Sequence, residues 1–109
     1  MNDLIRPALY DAKHQIINVE NNKVPAKEWT IVGPICESSD VMAKNYSLGA
    51  SGGSILAIKT AGAYRHVMSS NYNSRRKPPE ILVDDDKFEI IRKRETYEDL
   101  IRHEVNLGS

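Results

Sequence analysis

Cys36 is the only cysteine in the chain, and it sits in GPICESSD, residues 33–40, after a stiff Gly-Pro pair and beside two carboxylates, Glu37 and Asp40. A thiol that only fills core space wants apolar neighbours. A thiol set among carboxylates suits proton donation better than resting nucleophilic attack. The other reading is a partly buried thiol whose neighbours Glu37 and Asp40 satisfy loop amides. Arg6 and Tyr10 stand four residues apart in IRPALYD. On one helical turn after Pro7 they would point the same way, and a guanidinium beside a phenol suits a carboxylate. The plainer alternative is a surface arginine and a snorkelling tyrosine.

Two small-residue stretches, AGAY (residues 61–64) and MSSNYNSRRKPPE (residues 68–80), each carry a tyrosine. Small residues let a backbone approach a ligand closely. Arg75-Arg76-Lys77 beside Tyr72 has the look of a nucleic-acid patch, but the prolines that follow and the charge balance favour a solvated loop. Asp84-Asp85-Asp86 resembles a metal cluster only on paper, because consecutive side chains in a tight turn point apart. The three histidines are too far apart in sequence to argue for a metal, so no metal site is expected.

These residues need elements to hold them. Ile16–Val19, ended by Asn21-Asn22, Trp29–Val32, Val41–Lys44, Ser54–Ile58 and His66–Ser69 read as strands, the fourth buried on both faces. Glu80–Val83 and Phe88–Arg92 read as a hairpin with an acidic turn. Thr96 caps a closing helix, Asp99 holds the capping-box offset, and Tyr97, Leu100, Ile101 and Val105 share one face. Short strands with regular turn signals predict a mainly β fold, barrel- or sandwich-like, with a short C-terminal helix.

Bulk properties narrow the class. The 109 residues suit one domain, and with 15 basic against 15 acidic side chains nothing in the charge suggests a general polyanion binder. One cysteine cannot form an internal disulfide and fits reducing conditions. No apolar run approaches the roughly 18 residues of a membrane helix, and Met1-Asn2-Asp3 is not a signal peptide. A soluble intracellular domain is expected, with Gly108-Ser109 as a candidate tag remnant after a domain spanning 1–107.

Taken in order, MNDLIRPALYDA, VGPICESSDVMAK, AGAY, MSSNYNSR, PPEILVD and IRKRETYEDLI resemble the C-terminal domain of the diaminopimelate decarboxylases. These are alanine-racemase-like decarboxylases that use pyridoxal 5'-phosphate. The resemblance covers about residues 1–105. It implies that the catalytic TIM-type barrel, with its cofactor lysine, is absent from this chain, and that the chain alone is inactive.

The resemblance also implies roles. Cys36 matches the cysteine that protonates the substrate carbon after carbon dioxide departs. Glu37 matches the acid that takes the distal amino group, Arg6 and Tyr10 the residues that hold the distal carboxylate, and Tyr64 the tyrosine touching both cofactor phosphate and substrate. In the family, Cys36 and Glu37 would serve the site of the other subunit of a homodimer. The implied function is meso-diaminopimelate decarboxylation to L-lysine in the cytoplasm, without nucleic acid or membrane. The alternatives are a related decarboxylase of ornithine, arginine or carboxynorspermidine, or a non-catalytic β-barrel interaction module. Ornithine decarboxylases of this fold carry aspartate after the cysteine, so Cys36-Glu37 favours a substrate whose far end is an amino acid. Ser54 and Lys59-Thr60 depart from the family pattern, outside the ligand positions.

Overall fold

A computed structural model describes residues 1–20 and 23–108. The expected Asn21-Asn22 turn and Ser109 lie outside the described residues. Contacts divide the chain into two compact units, Met1 with Asp3–Ser69, and Asn2 with the chain from Ser70 onward.

The first unit contains α1 (Arg6–Tyr10), β1 (Ile16–Asn18), β2 (Ala26–Val32), β3 (Val41–Gly49), β4 (Leu56–Ile58) and α2 (Gly62–Val67). Pro7 occupies the first turn of α1, where its missing N–H costs no helical hydrogen bond. β2 and β3 form an antiparallel ladder from Ala26 opposite Gly49 to Val32 opposite Val41, with register shifts between Trp29 and Val32. β1 pairs antiparallel with β4, placing Ile16 opposite Ile58.

Side chains join the two ladders. The Tyr46 hydroxyl on β3 accepts from the Ile16 N–H at 2.8 Å and donates to the Ile16 carbonyl at 3.1 Å. The Asn18 amide donates to the Gly49 carbonyl at 3.0 Å. A Cβ at Gly49 would collide with the Val24 carbonyl, so this crossing needs glycine. Leu4, Ile16, Ile35 and Ala50 are the buried apolar residues around which the unit closes.

The second unit contains a 3₁₀ turn (Tyr72–Ser74), β5 (Glu80–Asp84), β6 (Lys87–Arg92) and α3 (Tyr97–Ile101). The Asn2 side-chain amide donates to the Tyr72 carbonyl at 2.6 Å, and the Asn2 carbonyl accepts from the Ser70 N–H at 3.1 Å. β5 and β6 pair as an antiparallel hairpin, with Asp85-Asp86 at the turn and Asp85 in the left-handed region at φ 52°. The Glu95 carboxylate accepts from the Lys77 N–H and the Asn71 amide, both at 2.7 Å. Arg76, in the basic triplet, lies 4.4 Å from the centroid of the Tyr97 ring.

The mainly β class and the short C-terminal helix stand as expected, and the described ladders are three two-stranded antiparallel sheets. Three local expectations fail. The segment expected as a strand over His66–Ser69 begins inside α2, where Arg65 N–H bonds to Ala61 and Met68 N–H to Tyr64. Its apolar run is only Val67-Met68, too short for period to separate helix from strand. The Ser54–Ile58 strand is not buried on both faces: in a two-stranded sheet Ile55 stays 62 % exposed. Finally, α3 stops at Ile101, so Val105 lies beyond the helix and is exposed.

Candidate functional site

Arg6 and Tyr10 stand at the two ends of α1, as their spacing predicts. The Arg6 guanidinium lies 4.9 Å from the centroid of the Tyr64 ring, a cation–π contact between α1 and α2. Beside it, Arg65 on α2 approaches Asp3 at 3.8 Å. The structure therefore brings together two of the candidate residues, Arg6 and Tyr64, that are far apart in sequence. Tyr10 and Tyr64 are exposed, and Arg6 is half-buried.

Cys36 and Glu37 lie in the loop between β2 and β3. Its ends are tied by the Gly33 N–H to the Asp40 carbonyl at 2.9 Å. Inside it, the Asp40 N–H bonds to the Glu37 carbonyl at 3.0 Å, and the Asp40 carboxylate accepts the Ile35 N–H at 2.8 Å. The Met1 nitrogen donates to the other Asp40 oxygen. Ile35 and Asp40 are buried, while residues 36–39 between them are exposed. Asp40 thus satisfies a loop amide, as the plainer sequence reading expects, but Cys36 itself is exposed rather than partly buried.

A cleft of about 380 Å³ lies against α1 and β3, lined by residues including Pro7, His14, Ser38, Ser39 and Tyr46. Arg6, Tyr10, Cys36, Glu37 and Tyr64 are not among its lining residues. These side chains can offer a thiol, a carboxylate, a guanidinium and two phenols to a ligand, but they do not enclose one in this cleft. Among the described residues, no helix is long and apolar enough to cross a membrane.

Residues 1–62 match the family described as pyridoxal-dependent decarboxylase, C-terminal sheet domain. The chain belongs to this family. A relative named diaminopimelate decarboxylase, from Neisseria meningitidis serogroup B, is 46 % identical over 105 residues, covering 96 % of this chain and 25 % of its own length. One from Pseudomonas fluorescens is 48 % identical over 104 residues, covering 95 % of this chain and 25 % of its own. The crystal structure of diaminopimelate decarboxylase from M. jannaschii in complex with L-lysine superposes with a TM-score of 0.89 at 41 % identity, covering 97 % of this chain and 24 % of that one. The chain therefore spans about a quarter of the length of the relatives it matches.

Within this decarboxylase sheet domain, sequence reasoning missed the contact of Asp3 and left the work of Asp40 open between two readings. Asp40 is visible beside Cys36, but its hold on the Ile35 amide is decided by the fold. Asp3, which precedes α1 and meets Arg65, carries no sequence signal, because its partner is supplied by α2. The first candidate pair, Arg6 with Tyr10, is legible from spacing on one helix; Arg6 with Tyr64 is not.

Proposed function

We propose that this chain is the C-terminal domain of a pyridoxal phosphate-dependent meso-diaminopimelate decarboxylase acting in the cytoplasm. The observation that carries the reading is the loop of residues 33–40, which is pinned at Ile35 and Asp40 and leaves Cys36 and Glu37 exposed. A thiol and a carboxylate held outward in this way are disposed to act on a site completed by another polypeptide. The names of the relatives support the choice of substrate, and the lysine complex of the M. jannaschii protein supports a product-like ligand.

In this reading Cys36 returns a proton to the substrate carbon after carbon dioxide leaves, and Glu37 pairs with the distal ammonium. Arg6 and Tyr10 bind the distal carboxylate, where the guanidinium fork offers paired donors. Tyr64 fits a contact with the cofactor phosphate: its side chain is exposed, and the Arg6 cation against its ring adds positive charge nearby. Bound pyridoxal phosphate supplies the electron sink for decarboxylation. The lysine that holds it belongs to the N-terminal barrel, and Cys36 and Glu37 serve the partner subunit of a homodimer.

Mixing tests the shared site. A complete enzyme with Cys36→Ala is combined with one lacking the cofactor lysine. Each homodimer is inactive or severely slowed, whereas a heterodimer places both lesions in one site and leaves the other whole. Activity is expected to return once mass measurements confirm subunit exchange. Confirmed exchange without activity rejects the assignment. The 109-residue chain alone is expected to release no carbon dioxide in the presence of pyridoxal phosphate.

A further inference from the structure

Asp40 carries a carboxylate that is 1 % exposed, in a unit whose other buried side chains are apolar. Burying a carboxylate is costly unless donors surround it, so its retention at this position needs a local return. Among the described residues, the Ile35 N–H meets one of its oxygens at 2.8 Å, the contact that lies within the loop, and the α-ammonium of Met1 pairs with the other. Its own carbonyl accepts from Gly33, and its own N–H donates to Glu37. Every one of these bonds fixes either a residue of the 33–40 loop or the segment leading into α1. Gly33 leaves the space the carboxylate fills, because a Cβ there would collide with both carboxylate oxygens.

The consequence falls on Cys36 and Glu37. They follow directly from Ile35, whose N–H is held, and Glu37 is held again through its carbonyl. With Ile35 buried at one end and Asp40 at the other, the short exposed arc between them has few ways to move. We infer that Asp40 is a positioning residue, which through the Ile35 and Glu37 backbone fixes where the Cys36 thiol and the Glu37 carboxylate are presented. This inference rests on the functional reading above. It adds that the second carboxylate of GPICESSD neither binds substrate nor moves a proton, but aims the two groups that do. Effective geometry is worth much here, since displacement of a reacting group by about 1 Å can cost roughly a hundredfold in rate.

The test uses the complete, cofactor-loaded enzyme with Asp40→Ala, Asp40→Asn and Gly33→Ala. Asn keeps one acceptor for Ile35 and loses the other. Gly33→Ala displaces the carboxylate without altering it. Asp40→Ala is expected to speed hydrogen exchange across residues 35–39 at least tenfold, with the β2–β3 ladder unchanged. It should also lower kcat per loaded site at least tenfold and raise KM, because both the proton donor and the ammonium partner lose their aim. Asp40→Asn should fall between Asp40→Ala and the parent, and Gly33→Ala should follow Asp40→Ala in direction. A merely structural role would lower the loaded fraction and leave kcat and KM per loaded site unchanged, and that result overturns the inference. Unchanged loop exchange in both Asp40→Ala and Gly33→Ala overturns it as well. Should Asp40→Ala fail to fold, Asp40→Asn and Gly33→Ala carry the same comparison. Cys36→Ala, run in parallel, separates the two levels. If its turnover is normal the functional reading fails, and the Asp40 clamp is then decided by loop exchange alone.

Discussion

The Cys36 thiol and the Glu37 carboxylate are adjacent in sequence, yet under the proposed function their removal should act on different kinetic constants. General-acid contributions run about 10² to 10⁴-fold, so Cys36→Ala in the complete enzyme should lower kcat within that range while cofactor binding persists. Glu37→Ala should chiefly raise KM, because in the proposed role it leaves the distal ammonium without its partner. Steady-state kinetics with cofactor absorbance check both, and equal effects on both constants from each variant would contradict the division of roles. Arg6 gives a second residue-scale test. Arg6→Lys keeps the charge but loses the planar fork and weakens the contact with Tyr64, so KM should rise about tenfold or more, in line with charge-assisted hydrogen bonds worth roughly 1.5–3 kcal/mol. A KM equal to the parent's would remove Arg6 from substrate recognition.

Among the elements, α3 carries its own start signal. Thr96 accepts from the Asp99 N–H at 3.2 Å, and Asp99 accepts from the Thr96 N–H at 2.7 Å, completing the capping box. Hydrogen bonds from the Thr96 backbone and then its side chain hold the Asp99 carboxyl below the ordinary aspartate value of 3.8. A depressed folded-state value means this stabilisation is fully present above about pH 4 and is lost as pH falls through the folded value. Helicity of α3, followed by NMR shifts of residues 97–101, should therefore decline in acid below that point. Thr96→Ala should weaken the helix by about 0.5–2 kcal/mol at neutral pH, whereas Asp99→Ala, which removes the titrating carboxyl itself, should flatten the acid transition. A variant whose acid transition matches the parent's would assign the shift elsewhere. In the first unit, the ladders depend on the Tyr46 hydroxyl. Tyr46→Phe strands the Ile16 N–H and C=O and should cost about 1–3 kcal/mol, read by denaturant melts.

Considered whole, the chain leaves much apolar surface uncovered. On the β5–β6 hairpin, Ile81 pairs with Ile90 and Val83 with Phe88, so these four side chains share one face. All four are between 45 % and 73 % exposed. An apolar sheet face of this kind marks a contact surface or an aggregation liability. Under the proposed function it meets another part of the enzyme, and the isolated chain should self-associate through it. Light scattering should show assemblies that Phe88→Lys with Ile90→Lys reduces. A monodisperse parent chain at the same concentration would argue against that face as the sticky one.

How much of this was written in the sequence depends on the range of the forces involved. The capping box of Thr96 and Asp99, the single turn joining Arg6 to Tyr10, the Asp85-Asp86 turn and the hairpin around it are fixed by neighbours within about five residues, and spacing reveals them. The motif order likewise carried the family, because it is a property of the chain itself. His66–Ser69 misled because two apolar residues cannot declare a period, and local hydrogen bonds from the Arg65 and Met68 N–H groups to the Ala61 and Tyr64 carbonyls settled the matter as a helix. Only the tertiary structure could seat Arg6 on Tyr64, Asp3 beside Arg65 and the Tyr46 hydroxyl on Ile16, since those partners lie 30 or more residues apart and meet only when the chain closes. Asp40 lies between the two cases. Its place beside Cys36 is in the sequence, but whether its carboxylate faces a substrate or a backbone amide was decided by burial, which turned those oxygens toward the Ile35 N–H and the Met1 nitrogen.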